Sequence, residues 1–265
     1  MKNISYDFHL HSCLSPCGDD DMTPANIVGM AAVIGLDAIA LTDHNTCRNC
    51  PAAIAAGELY GVTVMPGMEL CTSEEVHVLC FFPSLDEAMA FDDYVYEQAL
   101  PDIENNPLFF GNQIIYDKQD EKAGTLEKLL ISATTISFSQ LPPYQGIMIP
   151  AHIDKSSNSL ISNLGFIPPD STFQIAELHD IRQKEAFCQR YPYLNGCGFL
   201  SSSDAHSLND MNEPVNHISV EEVSVKRKRS NIKHCTLVYP NVRKRPYSRL
   251  NFKKYFLIQS AIWSF

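Results

Sequence analysis

The sequence lacks any uncharged apolar run of about eighteen residues, which argues against a membrane-spanning helix. Its first residues, Met1-Lys2-Asn3-Ile4-Ser5-Tyr6-Asp7, lack the apolar core of a secretory signal, so the cytoplasm is the expected compartment. There is no internal repeat and no low-complexity tract, which speaks against a repeat architecture. Positive charge is scarce through most of the chain. Residues 1–225 hold nine of the 20 lysines and arginines against all 31 acidic residues, a net of −22. Such a body repels bulk nucleic acid unless metal ions neutralise its site. Conversely, no acidic residue follows Glu222, and residues 226–265 carry the remaining cations, among them Lys226-Arg227-Lys228-Arg229 and Arg243-Lys244-Arg245. Two regions follow: a body over 1–225, and a basic tail over 226–265 read as a poorly ordered or polyanion-binding extension. In a reducing compartment the nine cysteines serve packing, metal binding or redox roles rather than disulfides.

What is present is ordinary globular composition, 45% hydrophobic and 19% charged over 265 residues, enough for one large domain. Short apolar runs alternate with helix-like segments. Ile4–Leu10 reads as a strand; Thr23 caps a helix that has Pro24 in its first turn and ends at Gly35. Asp37–Thr42 is the next strand, followed by an Ala-rich helix after Cys50-Pro51 and a strand over Val62–Pro66. Val76–Phe82 is an apolar run and Ser84–Leu100 a helix; later strands fall at Gly146–Ala151, Phe173–Leu178, Gly198–Ser202 and His217–Val220. Apolar rather than alternating strands, each followed by a helix, predict a parallel sheet covered by helices, as a barrel or an open sheet. Pro101–Pro143 breaks the rhythm and is read as a lid or insertion, helical over Thr125–Ser132.

The histidines carry the chemistry. His9 and His11 sit two apart, so on a strand they share a face. His44, Glu69, His152, Asp204 and His206 follow predicted strands, and His77 opens one. Nearly all therefore fall at carboxyl ends of parallel strands, where barrels and open sheets place their sites. A lone histidine is commonly a satisfied polar group; this joint pattern instead predicts a cluster of metal ions. His217 and His234 lie outside it, and His179 ends a strand without a clear role.

Six motifs together resemble the polymerase and histidinol phosphatase (PHP) superfamily of metal-dependent phosphoesterases. They are Asp7-Phe8-His9-Leu10-His11, Leu41-Thr42-Asp43-His44-Asn45, Gly67-Met68-Glu69, Val76-His77, Pro150-Ala151-His152 and Ser203-Asp204-Ala205-His206. The resemblance implies a distorted (β/α)7 barrel with a trinuclear site at the carboxyl ends of its strands. It would place His9, His11, Glu69 and Asp204 on one metal. A bridging Glu69 would share the second with His77 and His152, and His44 and His206 would hold the third with a loop carboxylate. Here the sequence departs from the family: the loop reads Ser15-Pro16-Cys17-Gly18-Asp19-Asp20-Asp21, with Asp21, nearest the helix start, the preferred ligand among its three aspartates.

The implied activity is hydrolysis of a phosphate ester of a small metabolite, a nucleotide or a nucleic-acid end, including 5′–3′ exonuclease action, through a metal-bridged hydroxide. Glu69, Asp43, Asp204 and His206 are the catalytic candidates, Asp43 and Asp7 as neighbours that orient imidazoles or, for Asp43, shuttle protons. Two or three ions of Zn, Mn or Fe suit these ligands. Arg48, Lys155, Arg182 and Lys184 are the body's scarce cations, and Lys155, three residues past His152, is the one expected to bind phosphate. Cys13, Cys17, Cys47 and Cys50 occupy two strand-end loops with spacings that fit an extra Zn or iron–sulfur site, although four reduced cysteines packed in their loops are the favoured explanation. The competing functions are amidohydrolase-type C–N hydrolysis and a non-catalytic metal- or nucleic-acid-binding module.

Overall fold

A computed structural model describes residues 2–140, 146–167 and 173–220. The basic tail over 226–265, with His234, lies outside the described residues. In chain order the structure runs β1 (Lys2–Leu10), α1 (Pro24–Ile34), β2 (Ala38–Leu41), α2 (Cys50–Tyr60), β3 (Thr63–Cys71), β4 (His77–Phe81) and α3 (Leu85–Tyr94). It continues with α4 (Pro107–Phe110), β5 (Ile114–Tyr116), β6 (Lys122–Thr125), β7 (Ile147–Pro150), α5 (Leu160–Leu164), β8 (Ile175–Glu177), α6 (Lys184–Arg190), β9 (Gly198–Leu200) and β10 (His217–Val220).

Local chemistry sets the first units. Thr23 Oγ1 accepts from Asn26 N, capping α1, and Gly35 ends that helix at φ 88°, a left-handed conformation that suits glycine. Gly61 ends α2 in the same way at φ 77°. The strands then build a six-stranded sheet in the order β10-β1-β2-β3-β4-β7. The sheet is mixed, not the all-parallel array expected. β1, β2 and β3 run parallel, but β10 pairs antiparallel with β1, and β4 antiparallel with both β3 and β7.

β3 changes partner midway. Thr63–Pro66 pairs with β2, and Gly67–Cys71 pairs with β4. The strand therefore does not stop at Pro66, where the sequence reading ended it, and Glu69 lies inside it rather than after it. Gly67 sits at the switch: a Cβ there would meet Thr42 Cγ2 at 2.9 Å and Leu41 O at 3.2 Å. Because β4 runs back against β3, its first residue, His77, pairs with Cys71 and comes to the same end of the sheet as Glu69.

β8 and β9 form a separate parallel pair. Ile153 N donates to Glu177 O on one side of this pair, and Leu10 bridges to Ala205 on the other, so the sheet curls toward itself. One buried apolar cluster accordingly takes Ile4, Tyr6 and Phe8 from β1, Ala38 and Ala40 from β2, Met65, Leu79, Ile149, Ile175, Leu200 and Ile218. A second holds the opposite-facing residues Leu10, Ile39, Leu41, Val64, Met68, Val78 and Cys80 against α1, α2 and α3. Inside and outside thus follow strand alternation.

β1 breaks that alternation once. Its register against β2 shifts between Asp7 and Leu10, so Phe8 belongs to the inner cluster while Leu10 belongs to the outer. This bulge turns His9 and His11 inward, onto the end of the inner apolar column. The segment after residue 100 is not helical over Thr125–Ser132; it carries the β5–β6 pair and packs Leu126 and Leu130 on Leu14 and Leu100.

Candidate metal centre

Glu69 stands at the focus of the inward-facing polar residues. It is 1% exposed, and five imidazole nitrogens surround its carboxylate. Oε1 lies 3.2 Å from His9 Nε2, 2.9 Å from His77 Nδ1 and 3.0 Å from His152 Nε2. Oε2 lies 3.3 Å from His11 Nε2 and 3.1 Å from His44 Nδ1. Asp204 Oδ1 reaches both His9 Nε2 and His11 Nε2 at 3.2 Å.

Neighbouring groups fix which ring nitrogen carries a proton in three of the histidines. His9 Nδ1 donates to Glu177 Oε2 at 2.9 Å. Ser15 Oγ spends its hydrogen on Asp43 Oδ1 at 2.7 Å and so accepts from His11 Nδ1 at 3.1 Å. His206 Nδ1 donates to the Asp204 carbonyl at 2.8 Å. In each ring Nε2 is the atom left for a proton or a cation. His9 Nε2 and His11 Nε2 face one another at 3.2 Å, an arrangement that two lone pairs tolerate only with a positive charge beside them.

Electrostatics agrees. Burial opposes ionisation of Glu69, yet His77, His9 and His44 outweigh it and hold the carboxyl well below its usual range. Asp204 is likewise lowered against burial, chiefly by His9. Burial works against charge on His9 as well, but Asp204, Glu177 and Glu69 hold its pKa well above normal. His77 is raised to about 10 against burial, mainly by Glu69. His44 goes the other way, well below normal, because burial dominates over Glu69. His206 is lowered to about 4 by burial and by His11. Without cations, protons on some of these rings balance the carboxylates.

The donor set fits divalent ions. Three groups of side chains each bring a donor atom of every member within 4.8 Å of the others: His9, His11, Glu69 and Asp204; His44, Glu69 and His77; and His11, Cys17, His44 and His206. Several buried atoms also lack a hydrogen-bond partner here, namely His152 Nδ1, Glu177 Oε1 and His44 Nδ1, which lies near Glu69 without a well-aligned bond. His152 and Asp204 have φ values of 28° and 55°, sparsely populated for residues with a Cβ.

Two expected site residues stand elsewhere. Asp21 is exposed, as are Asp19 and Asp20, and joins none of the donor groups. The loop folds so that Cys17 reaches the place assigned to an aspartate. Asp43 is 1% exposed and sits behind His11, where Ser12 N, Ser12 Oγ and Ser15 Oγ all donate to it at 2.7 Å. That surrounding positions Ser15, and burial raises the carboxyl's pKa against those donors. Asp7 accepts from Ser203 N and Asn212 N, with its pKa raised to about 6 by burial.

The four-cysteine site does not form. No group of three donors among the described residues combines Cys13, Cys17, Cys47 and Cys50. Cys47 and Cys50 are buried in the outer apolar cluster, with Cys47 Sγ bonded to Gly67 O at 3.2 Å. Glu177 is the residue the sequence reading passed over. It is 2% exposed at the end of β8 and accepts from His9 Nδ1 and from His152 N at 3.1 Å. Its place as a carboxylate ending a strand was the available signal.

A cleft of about 470 Å³ opens over the cluster, lined by Cys17, His44, His77, Lys155, Asp204 and His206 among others. Ile131 and Ala133, from the stretch read as a lid, form part of its wall. Lys155 Nζ pairs with Asp204 Oδ2 at its edge. The other scarce cations are engaged away from it: Arg48 with Asp92, Arg182 with Asp180, and Lys184 over the Phe199 ring.

The model of the PHP domain family matches residues 7–213 of this sequence. The chain belongs to the PHP domain family. It is 30% identical over 122 residues to the PolC-type DNA polymerases III of Listeria monocytogenes serovar 1/2a and Listeria innocua serovar 6a. That match covers 46% of this chain and only 8% of the polymerases. Among solved structures it is similar to the lesion-specific endonuclease Q of Pyrococcus furiosus, with a TM-score of 0.54 and 18% identity over 88% of this chain and 56% of that one. A complex of endonuclease Q with a 27-mer duplex carrying an abasic lesion gives 0.53 and 19%, over 88% and 57%. An amidohydrolase from Chromobacterium violaceum with bound sulfate gives 0.53 and 18%, over 81% and 91%. At such identities these likenesses speak for the fold alone, not for a shared substrate. No helix among the described residues is long and apolar enough to cross a membrane.

Proposed function

We propose that this PHP domain hydrolyses a terminal phosphate ester, of a nucleotide or nucleic-acid end in the first instance and of a small phosphorylated metabolite in the second. The observation that carries this reading is Glu69, a buried carboxylate with five imidazole nitrogens within 3.3 Å. In the reading, His9, His11, Glu69 and Asp204 would hold one ion, Glu69, His77 and His152 a second, and His44 and His206 would belong to a third. Bound divalent ions of the Zn, Mn or Fe class supply activated water at neutral pH and neutralise phosphoryl oxygens.

The chain's own groups do the rest. Glu177, Ser15 and the Asp204 carbonyl hold the Nδ1 protons of His9, His11 and His206, keeping Nε2 directed into the cluster. Lys155, 32% exposed at the cleft edge and paired with Asp204, is the cation that would receive a phosphate in this reading. One lysine in an acidic body suits a single terminal phosphate better than a long duplex backbone, whose binding needs several phosphate contacts. The eight described cysteines are all unpaired.

The test is a panel of nucleotides, 5′-phosphorylated oligonucleotides, nucleoside bisphosphates and histidinol phosphate, read by phosphate release, with amine release from amide substrates as the amidohydrolase arm. Glu69→Gln should lower turnover by about 10³-fold or more, since losing one electrostatic contact alone costs 10²–10³, and should lower metal content on elemental analysis. Wild-type turnover in that variant would refute the assignment, and amine release without phosphate release would shift it to C–N hydrolysis.

A further inference from the structure

The loop after β1 is pinned beside the donor cluster by its backbone. Ser15 N donates to Ser12 O and Gly18 N to Ser15 O, both at 3.0 Å, and Asp19 N donates to His206 O at 2.9 Å. Gly18 permits this tight path, since a Cβ there would stand 2.3 Å from Ser12 O. Cys17 lies between these anchors, and its Sγ falls within 4.8 Å of donor atoms of His11, His44 and His206. His44 is 6% exposed and its Nδ1 lacks a well-formed hydrogen bond, so a buried imidazole is unsatisfied at the same place. His206 Nε2 is free because its Nδ1 is held by a carbonyl. His11 has a single available nitrogen, already directed toward Glu69 and Asp204.

We propose that Cys17 completes the third metal position with His44 and His206, as a thiolate ligand where a loop carboxylate was expected. The proposal rests on the metal-cluster reading given above. On binding, the Cys17 thiol releases its proton to solvent and the sulfur's electron pair forms the bond to the ion, with no change of oxidation state. A soft thiolate with two imidazoles favours Zn over Mn or Mg, whereas the Glu69-centred positions, built of imidazole and carboxylate, discriminate less among these ions. One cluster would thus contain positions of unlike chemistry, the thiolate one open to oxidation.

Cobalt or zinc loading of the full chain tests this without reference to turnover. The wild-type protein loaded with Co(II) should show a thiolate-to-cobalt charge-transfer band. Zinc X-ray absorption should show a sulfur neighbour at about 2.3 Å beside nitrogen or oxygen at about 2.0–2.2 Å. Cys17→Ser should lose both signals and one metal equivalent per chain. Cys17→Asp should lose the sulfur signals yet keep the stoichiometry, which also shows that the loop still folds. Cys71→Ser, a control because Cys71 also lines the cleft, should change nothing. Full metal content with no sulfur signal, or a sulfur signal lost in Cys71→Ser and kept in Cys17→Ser, overturns the role of Cys17 and leaves the metal cluster standing. No bound metal in the wild-type chain overturns both.

Discussion

Replacing Glu177 separates the cluster's supporting carboxylate from its ligands. Glu177 joins none of the three donor groups, yet its Oε2 accepts from His9 Nδ1 at 2.9 Å and from His152 N at 3.1 Å. It therefore orients two imidazoles, one through the ring and one through the backbone. Glu177→Ala removes the acceptor that keeps the His9 proton on Nδ1, and losses of this kind weaken metal binding by about 10–100-fold, or about 1.4–2.7 kcal/mol. It also strands the buried His152 amide at a cost of about 1–3 kcal/mol in folding stability. Glu177→Gln keeps an oxygen able to accept both bonds and removes only the charge. Its folding stability should stay near wild type while metal affinity falls toward the low end, about tenfold. Competition against a chelator of known affinity gives the first quantity, and thermal unfolding of the metal-free proteins gives the second. Wild-type affinity in Glu177→Ala would show that the tautomer argument is wrong; equal destabilisation in both variants would place the effect in packing instead.

Asp43→Ala should destabilise the protein by roughly 3 kcal/mol, because three donors from Ser12 and Ser15 lose a buried acceptor. For a domain of this size that is a fall in Tm of about 6–12 °C by calorimetry, and an unchanged Tm would rule out the buried network. The pH response of the metal-free protein follows from His77. Its pKa in the fold, about 10, exceeds the ordinary 6.5, so its pairing with Glu69 contributes fully below pH 6.5 and is lost as pH rises toward 10. Metal affinity should move oppositely over that window, because the ion no longer has to displace this proton. Titration calorimetry in buffers of different ionisation enthalpy should detect proton release on metal uptake at pH 7.5, and its absence would contradict the raised value.

The early chain was legible because its signals are local. Thr23, Pro24 and Gly35 bound α1, and the apolar runs of β1 and β2 needed no distant information. His9 and His11 shared a face by spacing alone. What sequence could not show is pairing. Pro66 and Gly67 read as a strand end, whereas β3 continues through them by exchanging β2 for β4, a tertiary choice that local propensity does not record. The same exchange brings His77 to the mouth from the start of an antiparallel strand. The loop after β1 failed for a related reason. Three consecutive aspartates drew attention by charge, but the tight path at Gly18 decides which residue meets the histidine donors, and it brings Cys17 there.

The bulge in β1 carries a consequence for how such a protein tolerates change. Ahead of it the strand contributes Ile4, Tyr6 and Phe8 to the oily plug; beyond it, His9 and His11 to the wet mouth. Strict alternation at the same strand length would send both imidazoles to the helix-covered side, with Leu10 taking their place. Every ligand type would survive in the gene while the chemistry vanished from the fold. The site therefore depends on one irregularity of strand pairing as much as on the residues that it presents, a dependence that replacing the ligands one by one would not reveal.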